Sequence, residues 1–357
     1  MNLAAGTKVG TRYRLVAPLG DGAMGTVWRA YDSDLEIEVA LKLLKNTAAD
    51  RNTMLAHFAH EAELSARMLS PNVVRVLDRG VDDDGHPYIS YELLEGDELG
   101  ERLNREGRLS LAVCAVVVVQ ACRALARAHA VGVVHQDIKP ENIFLLQDDD
   151  GRPLVKLIDF GIAQLRKPTS GVATREAIGG TLEYMAPEVL LDGNVPDARS
   201  DLYALGVVAY ECFTGRVPYA GDTLSQVLTA HAKTKPEPPS TLRAVKDGLG
   251  AALDAWFARA IHRDPAQRFQ SAKEMAEAFV QVHRPKTAHA PTPASGPQPA
   301  KPPSAPPQPM RASFPSLSEV DLAEPPPSMR PRMRSQSEYS VISDPTDLRP
   351  EKPKKTP

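Results

Sequence analysis

Cysteine is scarce: Cys114, Cys122 and Cys212 are the only three in 357 residues. They match no metal-ligand or redox spacing, which excludes a disulfide scaffold and a thiolate metal centre. Each falls in an apolar helical pattern and reads as a small core residue of a protein in a reducing, cytoplasmic compartment. Charge of one sign is lacking too. The net charge is −3, whereas a dedicated nucleic-acid binder carries a marked basic excess, so no nucleic-acid partner is expected. Long hydrophobic runs are also missing. Residues 1–11 contain no apolar stretch of the kind a secretory signal needs. The most apolar run, Leu111–Val119, meets Gln120, Arg123 and Arg127 well before the ~20 residues of a membrane helix. It reads as a buried helix, and no membrane span is expected. What the chain has in excess is proline: 32 residues, more than half of them after residue 284.

Residues 13–95 carry a strand pattern broken by one helix. Tyr13–Leu19, Thr26–Tyr31 and Ile37–Leu44 are short β-rich runs between Gly and Asp turns. Leu55, Phe58, Ala62, Ala66 and Leu69 recur at helical spacing, so a helix is predicted over 54–69 with these residues as its apolar face. Strands are predicted again at Val73–Leu77 and Tyr88–Leu93. From Leu99 onward the pattern is mostly helical, with helices expected at Leu111–Ala130, Ser200–Thr214, Gly250–Ile261 and Ser271–Val282. A hairpin, Ile143–Leu146 and Leu154–Ile158, interrupts them. The outcome is an α+β chain: a leader over 1–10 and a domain over 11–283, split into a β-rich lobe (11–95) and a helical lobe (96–283). Residues 284–357 form a proline-rich tail without periodicity, expected to be disordered.

Four stretches carry chemistry. Gly20-Asp21-Gly22-Ala23-Met24-Gly25 joins two strands, and glycines so spaced let backbone N–H groups approach phosphates. A dinucleotide fold would place a helix next; Thr26, Val27 and Trp28 place a strand there instead. Val39-Ala40-Leu41-Lys42 is a buried-looking strand ending in a lysine. Glu61, at the margin of the predicted apolar face, is a candidate partner for that lysine. His135-Gln136-Asp137-Ile138-Lys139-Pro140-Glu141-Asn142 sets a carboxylate, an ammonium and a carboxamide on one short loop. These could accept a hydroxyl proton, neutralise phosphate and bind a hard cation. Asp159-Phe160-Gly161 brings a second carboxylate.

In this order, and followed by Met185-Ala186-Pro187-Glu188, Asp201 and Arg268, these motifs resemble the protein-kinase signature. In style the chain is similar to the eukaryotic-like (Hanks-type) serine/threonine kinases of bacteria. The resemblance covers about three quarters of the sequence and implies the two-lobed kinase fold, with transfer of the γ-phosphate of ATP to serine or threonine of protein substrates. It implies that Leu19 through Val27 (Leu19, Gly20, Asp21, Gly22, Ala23, Met24, Gly25, Thr26, Val27) lie over the nucleotide with Ala40, and that Phe144 lies below the adenine. Glu92 and Leu94 would bond adenine through their backbone, beside a bulky Tyr91. Lys42, paired with Glu61, would contact the α- and β-phosphates. Asp137 would be the catalytic base, Lys139 would steady the γ-phosphate, and Asn142 and Asp159 would hold Mg²⁺, or Mn²⁺ in its place. Glu188 would pair with Arg268 as a structural link. Lys42 itself is expected to carry no packing role.

Lys139 and Thr181 fit the serine/threonine class. One departure is Gln136, where the family most often has an arginine that reads a phosphorylated activation loop; Thr169, Ser170 and Thr174 are the loop's candidate phosphosites, with Thr181 further along. Alternatives are a pseudokinase or scaffold of the same fold, and a small-molecule phosphotransferase, which would be expected to lack the peptide-seating segment 180–188. For the tail, a solvated spacer and a docking arm both stand. The arm would offer Pro302–Pro309 to a polyproline-reading partner, or Ser335, Ser337, Ser340 and Ser343, phosphorylated beside Arg332 and Arg334, to a phosphopeptide-reading one.

Overall fold

The computed structural model describes residues 3–22, 25–44, 68–82, 85–160, 182–221, 223–243 and 250–283. Alternation of apolar and polar residues in the first hundred positions produces a six-stranded antiparallel sheet in the order β1-β2-β3-β4-β6-β5. Its strands are β1 (Lys8–Val9), β2 (Tyr13–Asp21), β3 (Gly25–Asp32), β4 (Ile37–Leu44), β5 (Val76–Val81) and β6 (Pro87–Glu92). Strand β1 lies in the stretch 1–10 read from sequence as a leader. Lys8 pairs with Arg14, and Val9, 1% exposed, enters the core with Tyr13 and Leu15. Two residues are too few for a readable alternation, so the strand exists only through its pairing. Pro18 sits at one of two irregularities in β2, the kind of site where a residue without an N–H donor is tolerated.

Cross-strand pairing assigns the faces. Val27 stands opposite Lys42, Lys42 opposite Ile89, and Ala40 opposite Tyr91. Because opposed residues share a face and i, i+2 positions do too, Val27, Ala40, Lys42, Ile89 and Tyr91 share one side of the sheet. There Ile89 and Tyr91 form a small cluster with Leu44 and Val74, and Ala40, Leu94 and Ile158 pack against it.

Strand β5 is also displaced from expectation, running Val76–Val81 rather than Val73–Leu77. The apolar Val73 and Val74 are recruited elsewhere: Val73 bridges Leu157, and Val74 N–H donates to Leu157 O at 2.9 Å. The predicted helix over 54–69 lies mostly outside the described residues. At its expected end, Met68 is 2% exposed and Leu69 65% exposed, the reverse of the apolar face assigned from spacing. Residues 68–70 are not helical, so helical periodicity no longer governs which one turns inward.

The second lobe packs around α2 (Leu111–Ala130), which follows α1 (Leu99–Glu106). Ser110 caps α2 by accepting from Val113 N–H at 3.2 Å. At 20 residues α2 covers the expected Leu111–Ala130, and by length and composition it would pass for a membrane span. Two thirds of that window is buried inside the protein, where Val113–Val118, Ala121, Cys122, Ala124 and Leu125 join the main core. Its apolar surface is thereby satisfied within the fold. Beside it lie α3 (Pro187–Leu190), α4 (Ala198–Thr214), α5 (Leu224–Lys233), α6 (Pro239–Leu242), α7 (Gly250–Ala260) and α8 (Ala272–His283). A three-stranded sheet of β7 (Asp97–Glu98), β8 (Ile143–Gln147) and β9 (Pro153–Leu157) lines the junction between the lobes.

Candidate active site

The loop after α2 is fixed from below before it offers anything to a ligand. Asp201, buried in the first turn of α4, accepts from His135 N–H and Gln136 N–H, each at 2.8 Å, and bonds His129 Nε2 at 2.7 Å. Gln136 is held at φ 68°, a left-handed conformation unusual for a residue with a Cβ. His135 is fully buried and its pKa is lowered by that burial. Its partners fix the tautomer: Nε2–H donates to Ile158 O at 3.0 Å, and Nδ1 accepts from Asp137 N–H at 3.3 Å. The neutral ring packs against Phe160 at a tilt of 52°, with centroids 4.3 Å apart. The catalytic-loop motif and the Asp159-Phe160 motif are thus one packed unit.

On this base, Asp137 Oδ2 accepts from Lys139 Nζ at 2.9 Å and from Asn142 Nδ2 at 3.1 Å, while Asn142 Nδ2 also donates to Asp137 O at 2.7 Å. Asp137 Oδ1 is shielded from solvent and has no hydrogen-bond partner among the described residues. A buried carboxylate oxygen left unmatched is costly, and such atoms concentrate where a substrate completes the bonding. Since Asn142 spends its N–H₂ on Asp137, its carbonyl oxygen is the end left to face a cation.

Lys42 reaches Asp159 across the junction, Nζ to Oδ1 at 2.8 Å. Asp159 sits at φ 59° two residues beyond the end of β9. Burial alone would raise its pKa; the Lys42 ammonium outweighs this and holds the carboxyl below its usual range, ionised and fit for a hard cation. The expectation that Lys42 has no packing role is corrected, because the residue is 7% exposed and committed to a carboxylate. Its expected partner Glu61 lies outside the described residues, as do Ala23, Met24, Gly161, Thr169, Ser170, Thr174 and Thr181. Among the described residues no group of three or more His, Cys, Asp or Glu forms a metal cage. Asn142 and Asp159 supply two oxygen donors, tied together by Ile158 N–H to Asn142 O at 3.1 Å. That set suits Mg²⁺, which keeps waters and takes its remaining ligands from substrate phosphate.

The glycine turn divides by role. A Cβ on Gly20 would meet nothing within 4 Å, and one on Gly22 would meet only Gly25 O at 3.6 Å. A Cβ on Gly25 would stand 2.3 Å from Leu43 O, so glycine there is required by the close approach of β4. Leu19 is 52% exposed, and Phe144 and Leu94 are half-buried at the junction.

Two further features escaped sequence reasoning. Glu98 in β7 is pushed up to about 7 by partial burial and by Glu101 and Glu141, with Lys139 pulling the other way. Glu101 is local, three residues on at the start of α1, but Glu141 is far away in the chain and gives no sequence signal. The Glu92 carboxylate bonds Lys156 Nζ at 2.6 Å, a contact 64 residues apart with no sequence signal. The expected structural link is in place: Arg268, buried, donates to Glu188 Oε1 and Oε2 at 2.9 and 2.6 Å. Removing one partner of such a buried pair costs ~3–5 kcal/mol.

The protein kinase domain family matches residues 13–280. Serine/threonine-protein kinase pkn3 of Myxococcus xanthus is 37% identical over 271 residues, 75% of this chain and 49% of that protein. Serine/threonine-protein kinase PknB of Mycobacterium tuberculosis is 36% identical over 276 residues, 76% of this chain and 43% of the relative. The match thus spans less than half the length of these relatives. The crystal structure of the Mycobacterium tuberculosis PknI kinase domain superposes with a TM-score of 0.60 at 28% identity, covering 78% of this chain and 99% of that one.

Proposed function

Because the chain belongs to the protein kinase family, with bacterial serine/threonine kinases among its relatives, we propose that it transfers the γ-phosphate of ATP to serine or threonine hydroxyls of protein substrates in cytoplasmic signalling. The observation that carries this reading is Asp137 Oδ1, buried and unmatched among the described residues while Oδ2 is held by Lys139 and Asn142. A substrate hydroxyl docked on Oδ1 would donate its hydrogen bond there and give up its proton as the oxygen attacks phosphorus. Lys139, already beside Asp137, offsets negative charge on the transferring group. Lys42 and the glycine turn hold the phosphates, and the half-buried edge Glu92–Leu94 takes the adenine. Mg²⁺, held by Asn142 and Asp159, would supply Lewis-acid stabilisation of the phosphate oxygens.

Three free, buried thiols and a reaction that consumes ATP fit a cytoplasmic setting. The proline-rich tail fits a docking arm for a polyproline- or phosphopeptide-reading partner. The test is Mg-ATP consumption with casein as generic acceptor, followed by phosphoamino-acid analysis. Phosphoserine or phosphothreonine is expected. Nucleotide binding without transfer would support a pseudokinase instead.

A further inference from the structure

Glu92 ends β6 and opens the stretch whose backbone is proposed to bond adenine, yet its side chain is engaged elsewhere. In β6 it alternates with Tyr91 and pairs with Val39, so it stands on the opposite face of the sheet from Ala40 and Tyr91. Its Oε1 accepts from Lys156 Nζ at 2.6 Å and from Arg75 N–H at 2.8 Å. Its own N–H donates to Arg75 O at 3.0 Å. The side chains of Glu92 and Lys156 are 22% and 13% exposed, so solvent screens the pair only in part.

Lys156 belongs to β9, the strand that leads into Asp159. That strand is anchored along its length. Leu157 N–H donates to Asn72 O and Val74 N–H to Leu157 O, both at 2.9 Å. Asn72 Nδ2 donates to Val155 O at 2.8 Å and to Gln120 Oε1 at 2.9 Å, and Gln120 Oε1 also accepts from Val155 N–H at 2.8 Å. The backbone around Lys156 is therefore a fixed rail. A charge mounted on it can hold the end of β6 in place.

We propose that Lys156 is a positioning residue for nucleotide binding: through Glu92 it ties the adenine-bonding edge to the strand that carries Asp159. Base and phosphates of one ATP molecule must be met at the same time, and an edge already in register loses less freedom when the nucleotide arrives. The inference rests on the proposed function, since it assigns adenine to Glu92–Leu94. It adds a residue outside the nucleotide's own contacts, and it separates the two ends of the ligand.

The experiment uses the full chain with Lys156→Met, which keeps the aliphatic stem and deletes the charge, and with Lys156→Arg, which restores a cation. For Lys156→Met, KM for ATP and the inhibition constant of adenosine should both rise about fivefold. The constant for inorganic tripolyphosphate, a probe of the phosphate end alone, should stay within twofold, and so should kcat at saturating ATP. Lys156→Arg should recover most of the loss. Unchanged KM and adenosine affinity would overturn the proposal. So would equal weakening of adenosine and tripolyphosphate, which is what general loosening of the fold produces, or failure of the arginine variant to recover. A wild-type chain that binds neither ATP nor adenosine would remove the proposed function itself and this inference with it, a result read before any variant is made.

Discussion

Lys42 and Asp159, 117 residues apart in sequence, meet at 2.8 Å across the junction of the two lobes. The ammonium proposed to hold phosphate and the carboxylate proposed to hold the cation are partners while no ligand is bound. Binding would then rearrange the Lys42–Asp159 ion pair, so both groups contribute to the ligand-free fold as well as to the proposed chemistry. Lys42→Met should lower the ligand-free stability by about 1–2 kcal/mol, less than for a fully buried pair because Asp159 keeps 38% of its side chain exposed. The extra stabilisation by Mg-ATP should shrink in the same variant. Urea unfolding with and without Mg-ATP measures both, and an unchanged ligand-free midpoint would show that the ion pair adds nothing to the fold.

The glycine turn should separate structure from binding. Gly25→Ala places a Cβ 2.3 Å from Leu43 O, and relieving that overlap should cost about 1–3 kcal/mol. Gly20→Ala meets nothing within 4 Å and should leave the melting temperature nearly unchanged while raising KM for ATP. Thermal melts beside steady-state kinetics on both variants check the contrast; equal destabilisation by both would refute it.

His231 and Glu98 should oppose each other in the pH dependence of stability. His231, in α5, is fully buried, bonds Tyr203 Oη at 3.2 Å through Nδ1, and has its pKa lowered to about 4 by burial and by Arg263. Between pH 6.5 and about 4 the unfolded chain binds this proton and the native chain does not, so stability falls as pH falls, by up to ~3 kcal/mol. Glu98, raised from 4.5 to about 7, is the reverse. The native chain binds its proton first, so stability from this group rises as pH falls from about 7 to 4.5. Wild type should therefore show a shallow slope over pH 4.5–6.5, Glu98→Gln a steeper loss toward acid, and His231→Gln a gain. Identical slopes for all three in urea unfolding would contradict the assignment.

Gln136 bears on regulation. Its backbone is locked by Asp201 and its side chain carries no charge. A phosphate on the activation segment therefore lacks the cation that usually stands beside the base. Changing Thr169, Ser170 and Thr174 together to Ala should reduce the rate less than about tenfold, ~1.4 kcal/mol of barrier. Dephosphorylated wild type should match the triple variant in steady-state assays. If both are inactive and autophosphorylation restores wild type, another cation reads the phosphate.

Much of this was legible in the sequence where a local pattern decides. The helix Leu111–Ala130 was bounded from its apolar run and flanking residues. The Asp137, Lys139 and Asn142 loop and the Glu188–Arg268 link were marked by motif order. What stayed hidden depends on partners far away in the chain. Val73 and Val74 look like a strand but answer to Leu157, Lys8–Val9 is a strand only because β2 receives it, and Glu92 and Lys156 give no sign of each other until β6 and β9 are placed. Gly25 reads as phosphate-binding by spacing, but the carbonyl of Leu43 is what demands it.

Asp137→Asn tests the central claim most directly. Asparagine keeps the shape and can still bond Lys139 or Asn142, but it cannot take a proton through the position of Oδ1. In a single-turnover assay at saturating Mg-ATP and acceptor peptide, transfer should slow by ~10²–10⁴, while ATP affinity, measured on the same protein, stays within a few-fold of wild type. Transfer within a few-fold of wild type would contradict the account, because the unmatched carboxylate oxygen would then have no part in the chemistry.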